Sequence, residues 1–427
     1  MVDFPSILAT MPAADLFVIP PAIAPTPLPP VAVPTSIMRP FNIPDNLYLA
    51  TLDARVPLTI AATYAVTAKL LNKYNKARGK QPWGISKTRA FHVFVVLHNI
   101  FLAVYSAWTF WGMLGVMRRS VASPFGPGGI AATADSLCRI QGPTGLGNSI
   151  YFNDTTASWD SASPSSISGL LSSNGLPSST EMGRMWNEGL AYYGWIFYLS
   201  KFYEVLDTFI ILAKGKYSST LQTYHHAGAM MCMWAGIRYM SVPIWVFCFV
   251  NSFIHALMYT YYTVSAFNVK VPMAMKRGLT TMQITQFVLG ASYTILHSFV
   301  TYIVPTTAER KDRMFGSSNG GAMAPVPSGV ARRSPAPTEA AHLAQPCIAT
   351  SSETFAIWLN VFFFISSYVK RSNAAQKLKG KSPQQMSDLA EKAGWDAARD
   401  VEREVYGGER MTENASPKSR SPVRRLS

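Results

Sequence analysis

Long apolar stretches separated by short basic loops run through most of this chain. About 20 consecutive apolar residues suffice to cross a bilayer as a helix. Seven stretches approach or exceed that length, near 48–71, 91–117, 190–213, 220–239, 243–267, 279–304 and 354–369. The last is short, and the first carries Lys69 near its end. The pattern predicts an all-α polytopic membrane protein with seven transmembrane helices.

Composition agrees. Of 427 residues, 48% are hydrophobic and only 14% charged, where roughly a quarter is charged in soluble proteins. The first 47 residues are proline-rich without a basic n-region, so they do not read as a cleaved signal. Lysine and arginine in short loops set orientation. Lys73, Lys76, Arg78, Lys80, Lys87 and Arg89 lie between spans one and two, Lys214 and Lys216 between three and four, and Lys270, Lys276 and Arg277 between five and six. All three loops fall on one side, taken as cytosolic, which puts the N-terminus in the lumen and the C-terminal tail in the cytosol. The basic 305–353 loop then lies in the lumen, against the trend, although long loops translocate largely regardless of charge. Topology accounts for much of the net charge of +15. The same residues would also attract an anionic substrate such as a nucleotide-bearing thioester. Nothing resembles a nucleic-acid module.

The organisation expected is a proline-rich lumenal tail over 1–47, a seven-span domain over 48–371 with lumenal insertions 120–185 and 305–353, and a basic cytosolic tail over 372–427. The Gly/Ser/Thr/Pro-rich 120–185 loop and the 314–346 stretch read as poorly ordered. From Lys370 on there are 13 basic and 8 acidic residues, with a short charged helix expected over 388–405. Cys232 and Cys248 lie within spans, whereas Cys138 and Cys347 fall in the lumenal insertions, where disulfides persist. Compartment and parity favour a Cys138–Cys347 bridge over two free thiols. Asn153-Asp-Thr155 is a glycosylation acceptor pattern.

Ionisable residues inside spans are expensive and usually face a cavity where they do work. Residues three or four apart share a helix face. Lys201, Glu204 and Thr208 therefore form one stripe in span three, with Asp207 beside it. An intrahelical lysine–glutamate pair alone would explain the first two residues but not the others. Gln222, His225 and His226 fall within an arc of roughly 100° in span four. Adjacent histidines suggest a metal at first sight, yet the chain has only seven histidines, and His92 and His297 read as lone helix residues. Asn251, His255, Met258, Tyr259 and Tyr262 form a stripe in span five, and Gln283 and Gln286 follow in span six. His98-Asn99 is a further polar pair in span two. Counting roughly 1.5 Å per residue from the cytosolic loops, these groups converge in the cytosolic half, ahead of an apolar tunnel.

These residues carry a resemblance. Lys201-x-x-Glu204-x-x-Asp207-Thr208, x-x-His225-His226, Asn251-x-x-x-His255-x-x-Met258-Tyr259-x-Tyr261-Tyr262 and Thr280-x-x-Gln283-x-x-Gln286-Phe287 occur in the order found in the ELO family of very-long-chain fatty acid elongases. The resemblance covers about residues 48–371, excluding the lumenal insertions. It implies a seven-helix membrane protein of the endoplasmic reticulum, six helices forming a barrel around an acyl tunnel. It also implies condensation of a long-chain acyl-CoA with malonyl-CoA to 3-ketoacyl-CoA, carbon dioxide and CoA. No cofactor is implied beyond these substrates. The implied partners are the lipid bilayer and the ketoreductase, dehydratase and enoyl reductase of the elongation cycle. Oligomeric state stays open, a homodimer included.

One departure matters. The family box usually reads His-x-x-His-His, whereas Gln222 stands first here. Glutamine hydrogen-bonds but does not titrate and is a poor metal ligand. This form is similar to that of some microbial and fungal elongases of polyunsaturated type. By resemblance, His225 would take the acyl group, His255 would act on malonyl-CoA, and His226 would orient ligands. Lys201, Glu204, Asp207, Thr208, Gln222, Asn251, Met258, Tyr259, Tyr262, Gln283 and Gln286 would line the substrate site. Lys216, Lys270, Lys276 and Arg277 would attract CoA phosphates. A membrane di-iron desaturase or hydroxylase would require about eight histidine ligands, and the motif stripes supply three. A seven-span receptor or transporter would not need this clustered polarity.

Overall fold

The apolar runs fold as helices whose ends are set by identifiable local chemistry. The computed structural model describes most of residues 7–141, 150–161, 182–306 and 341–347, with a few positions near 355–359. The described helices are α1 (Asp45–Thr51), α2 (Arg55–Ala77), α3 (Arg89–Ser120), α4 (Gly129–Cys138), α5 (Ala191–Tyr203), α6 (Val205–Ala213), α7 (Thr220–Arg238), α8 (Ile244–Ala266) and α9 (Met273–His297). Thr88 caps α3 by accepting from the Phe91 N–H at 3.2 Å, and Ser219 caps α7 by accepting from the Gln222 N–H at 3.1 Å.

Among the described residues, α3 and α8 are long and apolar enough to cross a membrane. The other expected spans are modified. The charges Arg55, Lys69, Lys73 and Lys76 dilute α2, and Gln222, His225 and His226 dilute α7. Span three is not one regular helix: a π-turn at Trp186–Leu190 leads into α5, and a tighter turn at Glu204, whose backbone stays in the helical region, separates α5 from α6. Span six starts earlier and ends earlier than its apolar run. Helix α9 stops at His297, and β4 (Val300–Thr306) follows as a strand. Its Val-Thr-Tyr-Ile-Val sequence is β-branched and aromatic, a composition that favours strand over helix. The seventh stretch, the basic tail with its expected helix over 388–405, and Lys270 lie outside the described residues.

Two regions expected to be poorly ordered contain structure. The 120–185 insertion holds α4 and a hairpin of β2 (Ile150–Asn153) with β3 (Ser158–Ser161). Residues 341–346 form β5 (Ala341–Pro346), which pairs antiparallel with β4, and β4 pairs on its other edge with β1 (Ile7–Ala9). This three-stranded sheet meets α4 at the Ser120 end of α3. Cys138, the last residue of α4, is joined to Cys347 in a disulfide. Beside it Asp135 is fully buried, paired with Arg184 at 2.8 Å and accepting from the Tyr302 hydroxyl at 2.9 Å. Burial and the neighbouring carboxylate push the Tyr302 phenol well up, so it remains a donor. His297 is not a lone helix residue: its ring lies against the Cys138–Cys347 sulfurs. Asn153 sits in β2 and donates to Asp160 at 2.8 Å.

At the opposite end of α3 the chain ties two loops together. Asn72 donates to the Ser218 carbonyl at 2.8 Å and accepts from its N–H at 2.9 Å. Asn75, fully buried, donates to the carbonyls of Leu212 and Lys216 and accepts from the Trp83 indole at 2.7 Å. Gly215 ends α6 with a left-handed φ of 78°, its N–H bonded to Leu212 and that of Lys216 to Ile211. This is a Schellman termination. A Cβ at Gly215 would sit 2.4 Å from the Lys80 carbonyl oxygen. The fixed turn sets where α7 begins, and hence where its histidines stand.

Candidate functional site

Helix α2 packs on α7, and α8 packs on α3, so α6 and the end of α5 lie between the two pairs. The turn at Glu204 is where that arrangement becomes chemical. Glu204 is 3% exposed and receives the Lys201 ammonium at 2.6 Å and the Ser200 hydroxyl at 3.2 Å on one oxygen. The same oxygen faces His255 Nδ1 at 3.8 Å. Lys201 also lies over the Phe197 ring at 4.1 Å and reaches Asn251 Oδ1 at 3.4 Å. A buried ammonium so placed has an opposite charge, an amide oxygen and a π face, which together offset its desolvation.

Asp207, one turn further on, points elsewhere. One oxygen lies 2.8 Å from His98 Nε2 on α3, and the other accepts from the Tyr259 hydroxyl on α8 at 2.6 Å. Thr208 turns to the opposite side, within 2.9 Å of the Tyr64 hydroxyl on α2 and 3.3 Å of Gln222 Nε2 on α7. The other amide atom, Gln222 Oε1, is buried without a protein partner. Tyr64 stands edge-on to His226 at 6.1 Å, and His226 to His225 at 5.6 Å. Asn251 ends a π-turn, Phe247–Asn251, inside α8. Such turns recur at functional sites because they re-aim side chains. Here the asparagine reaches both Lys201 and, at 3.5 Å, Gln286 on α9. Gln283 approaches the Met258 sulfur at 3.2 Å. Tyr262 packs edge-on to Tyr259 at 5.8 Å.

The four motifs are thus each joined to another: the first to the second through Thr208 and Gln222, the first to the third through Lys201, Glu204 and Asp207, and the third to the fourth through Asn251 and Met258. Of the basic loop residues, Lys276 approaches this network through Tyr261, whose ring lies 5.5 Å from that of Tyr262. The Lys216 carbonyl anchors Asn75, Lys276 lies over the Tyr261 ring at 5.7 Å, and Arg277 is exposed. Tyr64 and Ser200 were not among the sequence candidates, and His98 appeared there only as a polar pair with Asn99. For His98 the signal was a histidine in an apolar run. A lone tyrosine at position 64 gives no such signal.

Chemically the layer offers imidazoles, a carboxylate held beside one of them, a buried ammonium and amide groups. That set can accept an acyl group, move a proton and polarise a carbonyl. The two cysteines within the helices are poor candidates for that work. Both are buried, and the Cys232 thiol donates to the Leu359 carbonyl at 3.8 Å.

A family profile described as ELO: GNS1/SUR4 family matches residues 50–376. Very long chain fatty acid elongase 7 of Drosophila melanogaster is 37% identical over 110 residues, 25% of this chain and 32% of that protein. Very long chain fatty acid elongase 3 of Homo sapiens is 36% identical over 119 residues, 27% of this chain and 42% of that protein. Very long chain fatty acid elongase 5 of Xenopus tropicalis is 40% identical over 110 residues, 23% of this chain and 35% of that protein. The alignments span about a third to two fifths of these relatives' lengths. No solved structure matches the chain.

Proposed function

The chain belongs to the ELO family, and on that premise we propose that it is a fatty acid elongase. It joins a long-chain acyl-CoA to malonyl-CoA and yields 3-ketoacyl-CoA, carbon dioxide and CoA. We place it in the endoplasmic reticulum membrane, with seven spans, six of them around an acyl tunnel, the N-terminus lumenal and the C-terminus cytosolic. It would hand its product to the ketoreductase, dehydratase and enoyl reductase of the cycle, and it needs no cofactor beyond its substrates.

The observation that carries this reading is the linkage of all four motifs into one polar layer containing His225, His226 and His255. The His225 imidazole attacks the acyl thioester, forming an acyl-imidazole while the C–S bond breaks. The proton lost from the ring passes to the departing CoA thiolate. Malonyl-CoA then loses carbon dioxide, the carbanion left behind attacks the acyl carbon, and the C–N bond to His225 breaks as the departing imidazole takes up a proton from solvent. His255, with Glu204 beside its Nδ1 at 3.8 Å, orients the malonyl thioester and relays the proton that the departing imidazole takes up. Gln222, Asn251 and Gln283 direct amide groups at carbonyl oxygens, and Tyr262, Met258 and Gln286 shape the walls. Lys216, Lys270, Lys276 and Arg277 attract the CoA phosphates.

The test is His225→Ala, purified in detergent and given labelled acyl-CoA with malonyl-CoA. Wild type should form 3-ketoacyl-CoA and, without malonyl-CoA, retain label on the protein. The variant should do neither. Normal product from the variant would overturn the histidine assignment, and a wild-type protein inert towards every acyl-CoA tried would overturn the function.

A further inference from the structure

We infer that His98 is a positioning residue for the malonyl-dependent half of the reaction, acting on His255 through Asp207 and Tyr259. The inference rests on the elongase reading. The His98 side chain is fully buried in α3, stacked on Tyr203 at 5.3 Å and Phe94 at 6.1 Å, with Tyr259 edge-on at 6.3 Å. Its Nε2 lies 2.8 Å from Asp207 Oδ1. An ionised carboxylate only accepts, so Nε2 carries the hydrogen. Nδ1 is buried without a hydrogen-bond partner. A histidine suits this slot twice over, because its flat ring fills the space between aromatic neighbours and its edge still supplies a donor.

Both Asp207 oxygens are engaged, one by His98 and the other by the Tyr259 hydroxyl at 2.6 Å. Asp207 is therefore a joint between α3, α6 and α8, and the substrate-lining role expected from sequence is a weaker description of it. Tyr259 lies one turn beyond His255, with the rings 5.7 Å apart and 74° inclined. On its other side His255 faces Glu204. The imidazole is thus confined between a carboxylate held by Lys201 and a tyrosine held by Asp207. His226 has a different support, Tyr64 on α2, itself bonded to Thr208. His255 is thus held through Tyr259 and Asp207, the side on which His98 lies, whereas the His225–His226 pair is held through Tyr64 and Thr208.

Because the supports differ, the two half-reactions should respond differently. CoA release from acyl-CoA without malonyl-CoA reads the His225 half, and 3-ketoacyl-CoA formation reads both halves. In detergent-purified full-length protein, the ratio of condensation to acyl transfer should fall about 10-fold or more in His98→Leu, as expected for loss of a hydrogen bond to a charged group. His98→Asn, which keeps a donor towards Asp207, should recover part of the ratio. Tyr259→Phe keeps the ring and loses the hydroxyl, and should lower the ratio in the same direction, which decides the matter if His98→Leu does not fold. Parallel loss of both half-reactions, equal behaviour of the leucine and asparagine variants, or an unchanged ratio would overturn the inference. Wild-type enzyme that releases CoA only with malonyl-CoA present would overturn it too, while leaving the elongase reading intact. Wild-type enzyme without either activity would sink that reading instead.

Discussion

The Lys201–Glu204 pair allows stability and chemistry to be separated. Its charges lie 2.6 Å apart, with the two side chains 5% and 4% exposed. At an effective dielectric of 20 that separation corresponds to about 6 kcal/mol of attraction, most of it spent against desolvation. Removing one partner is costly because the other charge stays buried. Lys201→Met leaves the Glu204 carboxylate with only the Ser200 hydroxyl at 3.2 Å and the more distant His255. Glu204→Gln leaves the ammonium with Asn251 and the Phe197 ring. Each single variant should lose roughly 3–5 kcal/mol.

The double variant removes both charges and keeps similar volumes, so it should recover most of that loss and show a coupling of roughly 3 kcal/mol or more. Activity should not recover, because the carboxylate beside His255 is gone. The measurement is the thermal midpoint of the four proteins in one detergent, alongside 3-ketoacyl-CoA formation. Additive losses in the double variant would refute the premise that either charge, left without the other, is buried and uncompensated. Recovered activity would refute the role given to Glu204.

Two further outcomes follow from the same geometry. Gln222→Leu should cost about 1 kcal/mol or less in stability, because the lost bond to Thr208 is offset by removing the buried, unpartnered Oε1. It should nonetheless lose condensation that Gln222→His keeps, and equal activity of the two by product assay would mark the position as space-filling. Reduction of Cys138–Cys347, which closes a 209-residue separation, should destabilise by about 5 kcal/mol on a free-chain estimate. If the helices stay inserted, the released segment is only about 50 residues, from Ser298 to Cys347, and the figure falls merely to about 4 kcal/mol, the dependence being logarithmic. An unchanged thermal midpoint under reductant, with both peptides shown by mass to have been bridged beforehand, would refute this.

Much of the helical content was legible because apolarity sustained over a turn-by-turn distance leaves few alternatives. The helices α3, α7 and α8 follow their apolar runs to within a few residues, whereas α2 runs over Arg55–Ala77 against an expected 48–71, with α1 taking the start of that run. The site was legible for a related reason: Lys201, Glu204, His225, His226 and His255 are too costly in such runs to be incidental. What stayed hidden depends on contacts between distant parts of the chain. Tyr64 meets Thr208 across 144 positions, and His98 meets Asp207 across 109. Neither partner marks the other locally. The strand at Val300–Thr306 escaped because an apolar run scores alike as span or strand, and only pairing with β1 and β5 decides it.

The turn at Glu204 was the least legible feature, since glutamate is a good helix former. Residues three apart on a helix project about 60° apart, and the turn at Glu204 stays in the helical region, with φ −60° and ψ −13°. Glu204 stays with Lys201 and faces His255, while Asp207 reaches His98 and Tyr259. The backbone stays bonded through the turn, with the Glu204 N–H on Ser200 and the Asp207 N–H on Glu204 at 3.1 Å. That continuity matters because an unmet peptide group at membrane depth costs several kcal/mol. Two carboxylates, three residues apart, thus take different partners, one joining Lys201 to His255 and the other His98 to Tyr259. Together they hold one imidazole from two sides.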